Sequence, residues 1–253
     1  MKLMILGGTS GIGLALARHY LEQGDTVAVC GRDIRRLEGT AVQGRPRLQV
    51  YALDIADPQA LEAAMADFAS DRLDLLIVTA GMYFNTRTHP MDAATTLRLL
   101  QTNVSGLSHA FEFAASRMLR QGSGQLVAVA SVAGLLKDYP GASVYSASKR
   151  SVLSLCQTYR MALAPFGIAV TAIVPGYMDT AKLRALNGGD ASHKPFLLSE
   201  RDAAIRIVHA ITRRDAVTVF PWQMRWAIAV LNWLPLWPLL RRVLPKGQTR
   251  TGT

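Results

Sequence analysis

Two cysteines in 253 residues, Cys30 and Cys156, lie far apart in apolar segments and share no short spacing. That leaves neither a disulfide framework nor a metal-ligating pattern, and both read as reduced core thiols of an intracellular protein. Charged residues are also scarce, at 18%, against 50% hydrophobic residues, so a sizeable core is available and disorder is excluded. Acid is the scarcer sign: 18 Asp and Glu face 28 Lys and Arg, a net charge of +10. Such a balance raises nucleic acid as a partner, yet zinc-finger spacing, aromatic RNA-binding strands and a compact recognition helix are all missing. Charge alone does not make a nucleic-acid-binding protein, and none is expected. No internal repeat, low-complexity tract or linker divides the chain, so residues 1–253 are expected to form one domain. The opening "MKLMILGGTSG" reaches glycine too soon for the apolar region of a secretory signal, and a cytoplasmic chain that starts directly on structure is expected. Nor is there a run of the ~20 apolar residues that a membrane span needs. The fifteen residues from Trp226 to Leu240 are interrupted by Asn232, Pro235 and Pro238.

What the chain does have is alternation. The segments 2–6, 26–30, 47–53, 73–78, 125–130 and 168–174 are short, near-continuous apolar runs, the pattern of strands buried on both faces. Between them lie helical stretches over Gly11–Gln23, Pro58–Ser70, Met91–Gln121 (long enough to contain a break) and Ser143–Ala164. Gly24 suits a left-handed cap after the first, and Pro58 suits the first turn of the second. Strand–helix alternation of this kind implies an α/β, doubly wound (Rossmann-like) parallel sheet of about seven strands with helices on both faces. Ligands of such sheets bind at the carboxyl ends of the strands.

The first such end carries "LGGTSGIG", in which Gly7, Gly11 and Gly13 are spaced G-x-x-x-G-x-G between a strand and a helix. Glycine at 7 permits a tight turn, at 11 close approach of backbone to a pyrophosphate, and at 13 close helix–strand packing. Thr9, Ser10 and Ile12 complete this cradle, whose helix N-terminus faces phosphate charge. At the end of the second strand the chain reads "VAVCGRDIRRL". Where a carboxylate would hold the ribose 2′-hydroxyl of NAD there is Gly31, followed by Arg32, which accommodates a 2′-phosphate. Arg35 and Arg36 add positive potential, and Asp33 reads as the start of the next helix. The cofactor expected is NADPH/NADP+ in preference to NADH/NAD+.

In "SVYSASKRSV", Tyr145 and Lys149 stand one helical turn apart on one face. A free phenol has a pKa near ~10 and a nearby ammonium lowers it. With the glycine loop and this pair in hand, the chain resembles the short-chain dehydrogenase/reductase family from about Lys2 to Thr180. "LDIAD" (53–57) resembles the segment that contacts adenine, through Asp54 with Ile55 beside it. "VTAG" (78–81) resembles the family's N-N-A-G turn, with Ala80 and Gly81 in place and Val78 and Thr79 departing from it. The strand bracing those asparagines provide is then expected from the Thr79 hydroxyl. "TNVSG" (102–106) supplies Asn103, "VAVASVAG" (127–134) supplies Ser131, and "VPGYMDT" (174–180) resembles the P-G-x-x-x-T turn around the nicotinamide, with Pro175, Gly176 and Thr180 in register. Leu6 replaces the usual threonine before the first glycine. The resemblance implies ketone–alcohol interconversion by hydride transfer. Tyr145 is the proton donor, Lys149 tunes it and holds the nicotinamide ribose, Ser131 bonds the substrate oxygen, and Asn103 anchors a water relay. It also implies a homodimer or homotetramer built through the long helices. The rival reading is a cofactor-binding sensor or scaffold with little turnover; such a chain would be expected to lack Tyr145, Lys149 or Ser131.

After Thr180 the family pattern stops giving detail. Residues 181–215 are expected to form the substrate-binding loop and helices, with His193 at the surface. The stretch 220–242 holds all four tryptophans, and Trp222, Trp226, Trp233 and Trp237 fall within about 60° of one another at ~100° per residue. The prolines limit the helix to Trp222–Leu234. Two readings of this apolar–basic extension (221–253) stay open. Its tryptophans either form core, over the substrate cleft or at a subunit contact, or meet an anionic membrane face with Arg225, Arg241, Arg242 and Lys246 as the basic rim. Both suit an apolar or long-chain ketone.

Overall fold

The computed structural model describes residues 1–83, 92–136 and 143–233. In chain order its elements are β1 (Lys2–Leu6), α1 (Gly11–Glu22), β2 (Thr26–Gly31), β3 (Leu48–Ala52), α2 (Pro58–Phe68), β4 (Leu75–Val78), α3 (Ala93–Leu100), α4 (Gly106–Gln121), β5 (Gly124–Val129), α5 (Val144–Leu163), β6 (Ile168–Pro175), β7 (Met178–Asp179), α6 (Ala181–Ala185), β8 (Leu198–Ser199), α7 (Glu200–Thr212), β9 (Val217–Phe220) and α8 (Trp222–Trp233). Seven strands pair in parallel in the order β3-β2-β1-β4-β5-β6-β9, and β7 with β8 forms a separate two-residue ribbon. The chain order reverses at β1, so the crevice beyond the carboxyl ends of β1 and β4 is the topological switch point.

Successive side chains of a strand point to opposite faces, and both faces here are buried. Leu3 and Ile5 of β1 pack with Ile12, Leu16 and Tyr20 of α1 and with Ala203 and Ile207 of α7. Met4 and Leu6 pack on the other side with Leu61, Met65 and Phe68 of α2, Phe111 of α4 and Cys156 of α5. This two-sided burial explains the near-continuous apolar runs.

Local signals set the helix ends. Asp57 accepts hydrogen bonds from the amides of Gln59 (3.0 Å) and Ala60 (3.1 Å) with Pro58 at the first position of α2. Ser143 accepts from the Ser146 amide at 3.3 Å at the start of α5. A cap of this kind contributes about 1 kcal/mol. Gly24, at φ +81°, closes α1 as expected. The long helix expected over 91–121 is three pieces: α3, a π-turn over Gln101–Ser105, and α4. Met91 lies outside the described residues. The π-turn ends against the β3–α2 connection, where a Cβ on Gly106 would come within 2.6 Å of the Ile55 carbonyl oxygen. Asp33 starts a 3-10 turn (Ile34–Leu37) rather than an α-helix.

Candidate active site

Two contacts seat the glycine loop. A Cβ on Gly7 would meet the Ala80 amide at 2.6 Å, and one on Gly13 would meet the Gly7 carbonyl oxygen at 2.2 Å. Only hydrogen fits at either place, and Gly7 also has φ +91°, a region that favours glycine. The Thr79 hydroxyl donates to the Leu6 carbonyl at 3.1 Å, and the Thr79 and Ala80 amides reach the same oxygen at 2.9 and 2.8 Å. Thr79 thus ties β4 to β1 without the family's asparagines. Ser10 occupies the N-cap of α1 in extended conformation, yet its side chain makes no cap hydrogen bond. The first-turn amides of this helix are therefore left for an anion. Ile12 is buried against the sheet, and Thr9 is buried beside Gly31. The Cβ of any residue at 31 would lie 2.5 Å from the Thr9 hydroxyl and 2.7 Å from its methyl.

Arg32 is exposed and forms no ion pair among the described residues. Asp33 is held by Arg35, Nε to Oδ1 at 2.9 Å, and by Arg36 at 3.8 Å. Its carboxyl lies below the usual range, mainly through the Arg35 hydrogen bond. Asp54 accepts from the Ala56 amide at 2.9 Å and pairs with Arg98 of α3. Ile55 is buried beside it. A glycine loop with free helix amides, a residue-31 position with no room for a side chain, and an unpaired arginine next to it fit a phosphorylated dinucleotide.

The reacting groups converge at the ends of β4 and β5. Ser131 opens a 3-10 turn (Val132–Leu135), where its oxygen also accepts from the Ala133 amide at 3.2 Å, and it hydrogen-bonds Tyr145. Lys149 is 6% exposed, donates to the Val129 carbonyl at 2.9 Å, and lies 6.0 Å from the centroid of the Tyr145 ring. Its Nζ would be 3.3 Å from a Cβ on Gly81, so the lysine faces that turn. Asn103 is buried inside the π-turn. Its amide nitrogen donates to the Met82 carbonyl (2.9 Å) and to Ser148 Oγ (3.0 Å), and its oxygen accepts from the Met82 amide (2.7 Å). Both amide protons are thereby spent, which leaves one lone pair of Oδ1 for a link to water. Ser148 in turn donates to the Tyr145 carbonyl at 2.8 Å. Pro175 ends β6, the Gly176 amide donates to Phe220 at 2.8 Å, and Thr180 caps α6 by accepting from Leu183 at 3.1 Å. The Thr180 methyl stands 3.8 Å from the position of a Cβ on Gly11.

The sequence suggests that Lys149, helped by a bound oxidised nicotinamide, lowers the pKa of Tyr145. Burial instead pushes the phenol up to about 12, against the opposing Ser131 hydrogen bond and with Tyr83 and Tyr177 adding to it. Lys149, also buried, is itself pushed down to about 8, with the charge of Lys182 adding to the effect. In the ligand-free chain desolvation dominates both groups, and the ammonium, over the Tyr145 ring at 6.0 Å from its centroid, is bonded to the Val129 carbonyl.

Four residues at the site escape the sequence reading. Ser148 reads as a small spacer, yet it is fully buried and bridges Asn103 to Tyr145. Tyr83 packs edge-on against Tyr145, with ring centroids 4.8 Å apart. Glu200, at the start of α7, places Oε1 3.7 Å from the Gly11 Cβ position. Lys182 crosses the cleft to donate to the Gly81 carbonyl at 2.9 Å. Only Lys182 carried a signal, as a cation two residues beyond Thr180.

In α8, Ile228 faces the core, Met224 packs on Gly176, and Asn232 donates to the Leu135 carbonyl at 2.8 Å. Trp222, Trp226 and Trp233 are 65%, 65% and 80% exposed, so these three do not form core in this chain. Trp237, Arg241, Arg242 and Lys246 lie outside the described residues. Among the described residues no helix is long and apolar enough to cross a membrane.

A family model described as short chain dehydrogenase matches residues 2–190. An uncharacterized oxidoreductase of Staphylococcus aureus (strain N315) is 29% identical over 219 residues, covering 85% of this chain and 93% of the relative. A solved short chain dehydrogenase/reductase family protein superposes with a TM-score of 0.75 at 29% identity, over 86% of this chain and 94% of that one. ElxO with NADP bound gives 0.76 at 23% identity over 87% and 97%, a likeness of fold.

Proposed function

The chain belongs to the short-chain dehydrogenase family, and from that premise we propose that it is an NADP(H)-dependent oxidoreductase that interconverts a ketone and a secondary alcohol. The observation that carries this reading is the hydrogen-bonded Ser131–Tyr145 pair, with Lys149 buried one turn behind, at the mouth of a glycine-loop cleft. Arg32 and the crowding of position 31 favour the phosphorylated cofactor. In the shared fold, ElxO is a protein solved with NADP.

When bound, the reduced nicotinamide supplies a hydride to the carbonyl carbon. Ser131 donates a hydrogen bond to the carbonyl oxygen and orients it beside Tyr145. As negative charge develops on that oxygen, the Tyr145 hydroxyl transfers its proton, giving the alcohol and a phenolate. Lys149 lowers the cost of the phenolate by its positive charge, and solvent returns the proton. A phenol raised to about 12 is protonated at neutral pH in the cofactor-free site. Asn103 and Ser148 hold Tyr145 and the Met82 turn in place.

Tyr145→Phe is the test. It is expected to bind NADPH, read by the nucleotide's fluorescence, with wild-type affinity, and to lose at least ~100-fold in ketone turnover. If the wild-type chain binds NADPH yet turns over no ketone in a panel of short- and long-chain substrates, the sensor reading replaces the enzyme.

The substrate is apolar. Residues 181–215 cover the cleft, and α8 flanks it through Met224 on Gly176 and Asn232 on Leu135. The outward tryptophans of α8 lie within about 40° of each other on the helix, beside exposed Val230 and Arg225, and this face rests on an anionic membrane surface. Flotation with phosphatidylserine vesicles is expected for the full chain and is lost on Trp222→Ala/Trp226→Ala/Trp233→Ala. Equal flotation of both removes the membrane reading and leaves the reductase. Assembly as a dimer or tetramer runs through α4 and α5, which expose Leu119 and Met161.

A further inference from the structure

Among the described residues, Lys182 is a cation that reaches from beyond Thr180 to the Gly81 turn. It belongs to α6 beyond Thr180, yet its ammonium donates to the Gly81 carbonyl 101 positions away, at 2.9 Å. Three other cations feel it or are felt by it. Arg32 and Arg36, on the adenosine side, join partial burial in holding its ammonium below the usual lysine value. Lys149, on the nicotinamide side, is lowered in part by Lys182. Among the described residues Lys182 has no acidic partner. Four like charges along one cleft repel one another, a cost that a folded chain sustains where the ligand brings the opposite charge.

The ligand's own layout decides where Lys182 acts. A dinucleotide has its 2′-phosphate at one end, the nicotinamide ribose at the other, and a pyrophosphate between them. Arg32 marks the first end and Lys149 the second. The uncapped start of α1 at Ser10–Gly11 forms one wall of the middle, and Thr180, 3.8 Å from the Gly11 Cβ position, begins the opposite wall. We infer that Lys182 is a pyrophosphate-binding residue, which exchanges the Gly81 carbonyl for a phosphate oxygen when the dinucleotide enters. The inference rests on the reading of the cleft as an NADP(H) site. It makes Lys182 indifferent to whether the 2′-phosphate is present, which separates it from Arg32.

Equilibrium titration tests this without turnover. NADPH, NADH and ADP-ribose are titrated into wild type, Lys182→Met, Lys182→Arg and Arg32→Ala, by nucleotide fluorescence or calorimetry. Loss of one charge-assisted hydrogen bond is expected to weaken all three ligands about tenfold or more in Lys182→Met. Lys182→Arg is expected to restore most of that affinity, and Arg32→Ala to weaken NADPH alone. The salt dependence of NADPH affinity is expected to become shallower in Lys182→Met, since one fewer cation meets the ligand. Unchanged NADH and ADP-ribose binding in Lys182→Met overturns the inference while leaving the cofactor reading intact. Loss confined to NADPH assigns Lys182 to the 2′-phosphate and also overturns it. A wild-type chain that binds none of the three sinks the cofactor reading itself. Melting temperature, expected to be unchanged, controls for folding.

Discussion

Replacing Gly31 with aspartate is the obvious way to turn a cleft of this kind toward NAD, and here it is expected to fail alone. Gly31 ends β2 with the side chain of Thr9 lying over it. A Cβ built there stands 2.5 Å from the Thr9 hydroxyl and 2.7 Å from the methyl, and both distances are under the contact limit of real atoms. Thr9 is only 6% exposed and a β-branched side chain has few rotamers to escape into, so the loop must move. Overpacking of this sort costs about 1–3 kcal/mol. For a chain of this size that is a fall of roughly 2–12 °C in melting temperature, at ~2–4 °C per kcal/mol. Because the loop that moves is the one that seats the pyrophosphate, NADPH and NADH affinity should both drop. Adding Thr9→Gly removes the obstruction, and the double variant is expected to recover melting temperature and gain NADH affinity over NADPH. Scanning calorimetry and nucleotide titration read both. If Gly31→Asp melts with wild type and binds NADPH as wild type does, the contact between Thr9 and position 31 is not what keeps an acid out.

Two further outcomes follow from the same coordinates. Lys149 in the free site is held at about 8, and its cationic form is the one that meets an anionic cofactor, so NADPH affinity should be constant below that pH and fall as pH rises through it, by up to about tenfold per unit; Lys149→Met should flatten that profile. Phe111 is fully buried against Tyr159 and the sheet, and Phe111→Ala should cost about 3–5 kcal/mol, or roughly 6–20 °C in a melting scan; a smaller loss would mean that α4 closes over the cavity.

The parallel sheet was legible because two-sided burial writes itself as unbroken apolar runs, and six strands fall where the sequence places them. The seventh, β9, was not. Val217–Phe220 is four residues long at the sheet edge, with Val217 half exposed, too short and too mixed to separate from a helix end. The π-turn around Asn103 was hidden because its extra residue per turn is a response to neighbours, Ile55 and Met82, that only the fold brings there. Tyr145, Lys149 and the glycines were picked out by spacing, which local structure preserves, and Ser131 by the family resemblance. Lys182, Glu200 and Tyr83 come from segments whose approach to the cleft depends on the path of the chain after β4 and β6, and no period in the sequence records that path. For α8 the sequence placed a helix over Trp222–Leu234 with four tryptophans in one stripe; the described part, Trp222–Trp233, holds three of them. The sequence could not give the stripe's direction, because core and solvent faces of a short, largely apolar helix look alike until Ile228 is seen to point inward.

The electrostatics of the cleft are the part that spacing does not record. Tyr145 is held above its ordinary value and Lys149 and Lys182 below theirs, all three first of all by burial. Each shift disfavours the charged form, as expected of ionisable groups withdrawn from water with no counter-charge beside them. The pairing of Tyr145 with Lys149 is therefore not complete in the protein alone. On the proposed reading, a ligand that brings a phosphate to Lys182 supplies negative charge on that side of the cleft and relieves the repulsion by which Lys182 lowers Lys149. If Tyr145 and Lys149 form the proposed acid–base pair, the acidity of Tyr145 should respond to what fills the phosphate end of the cleft as well as to the residue one turn away.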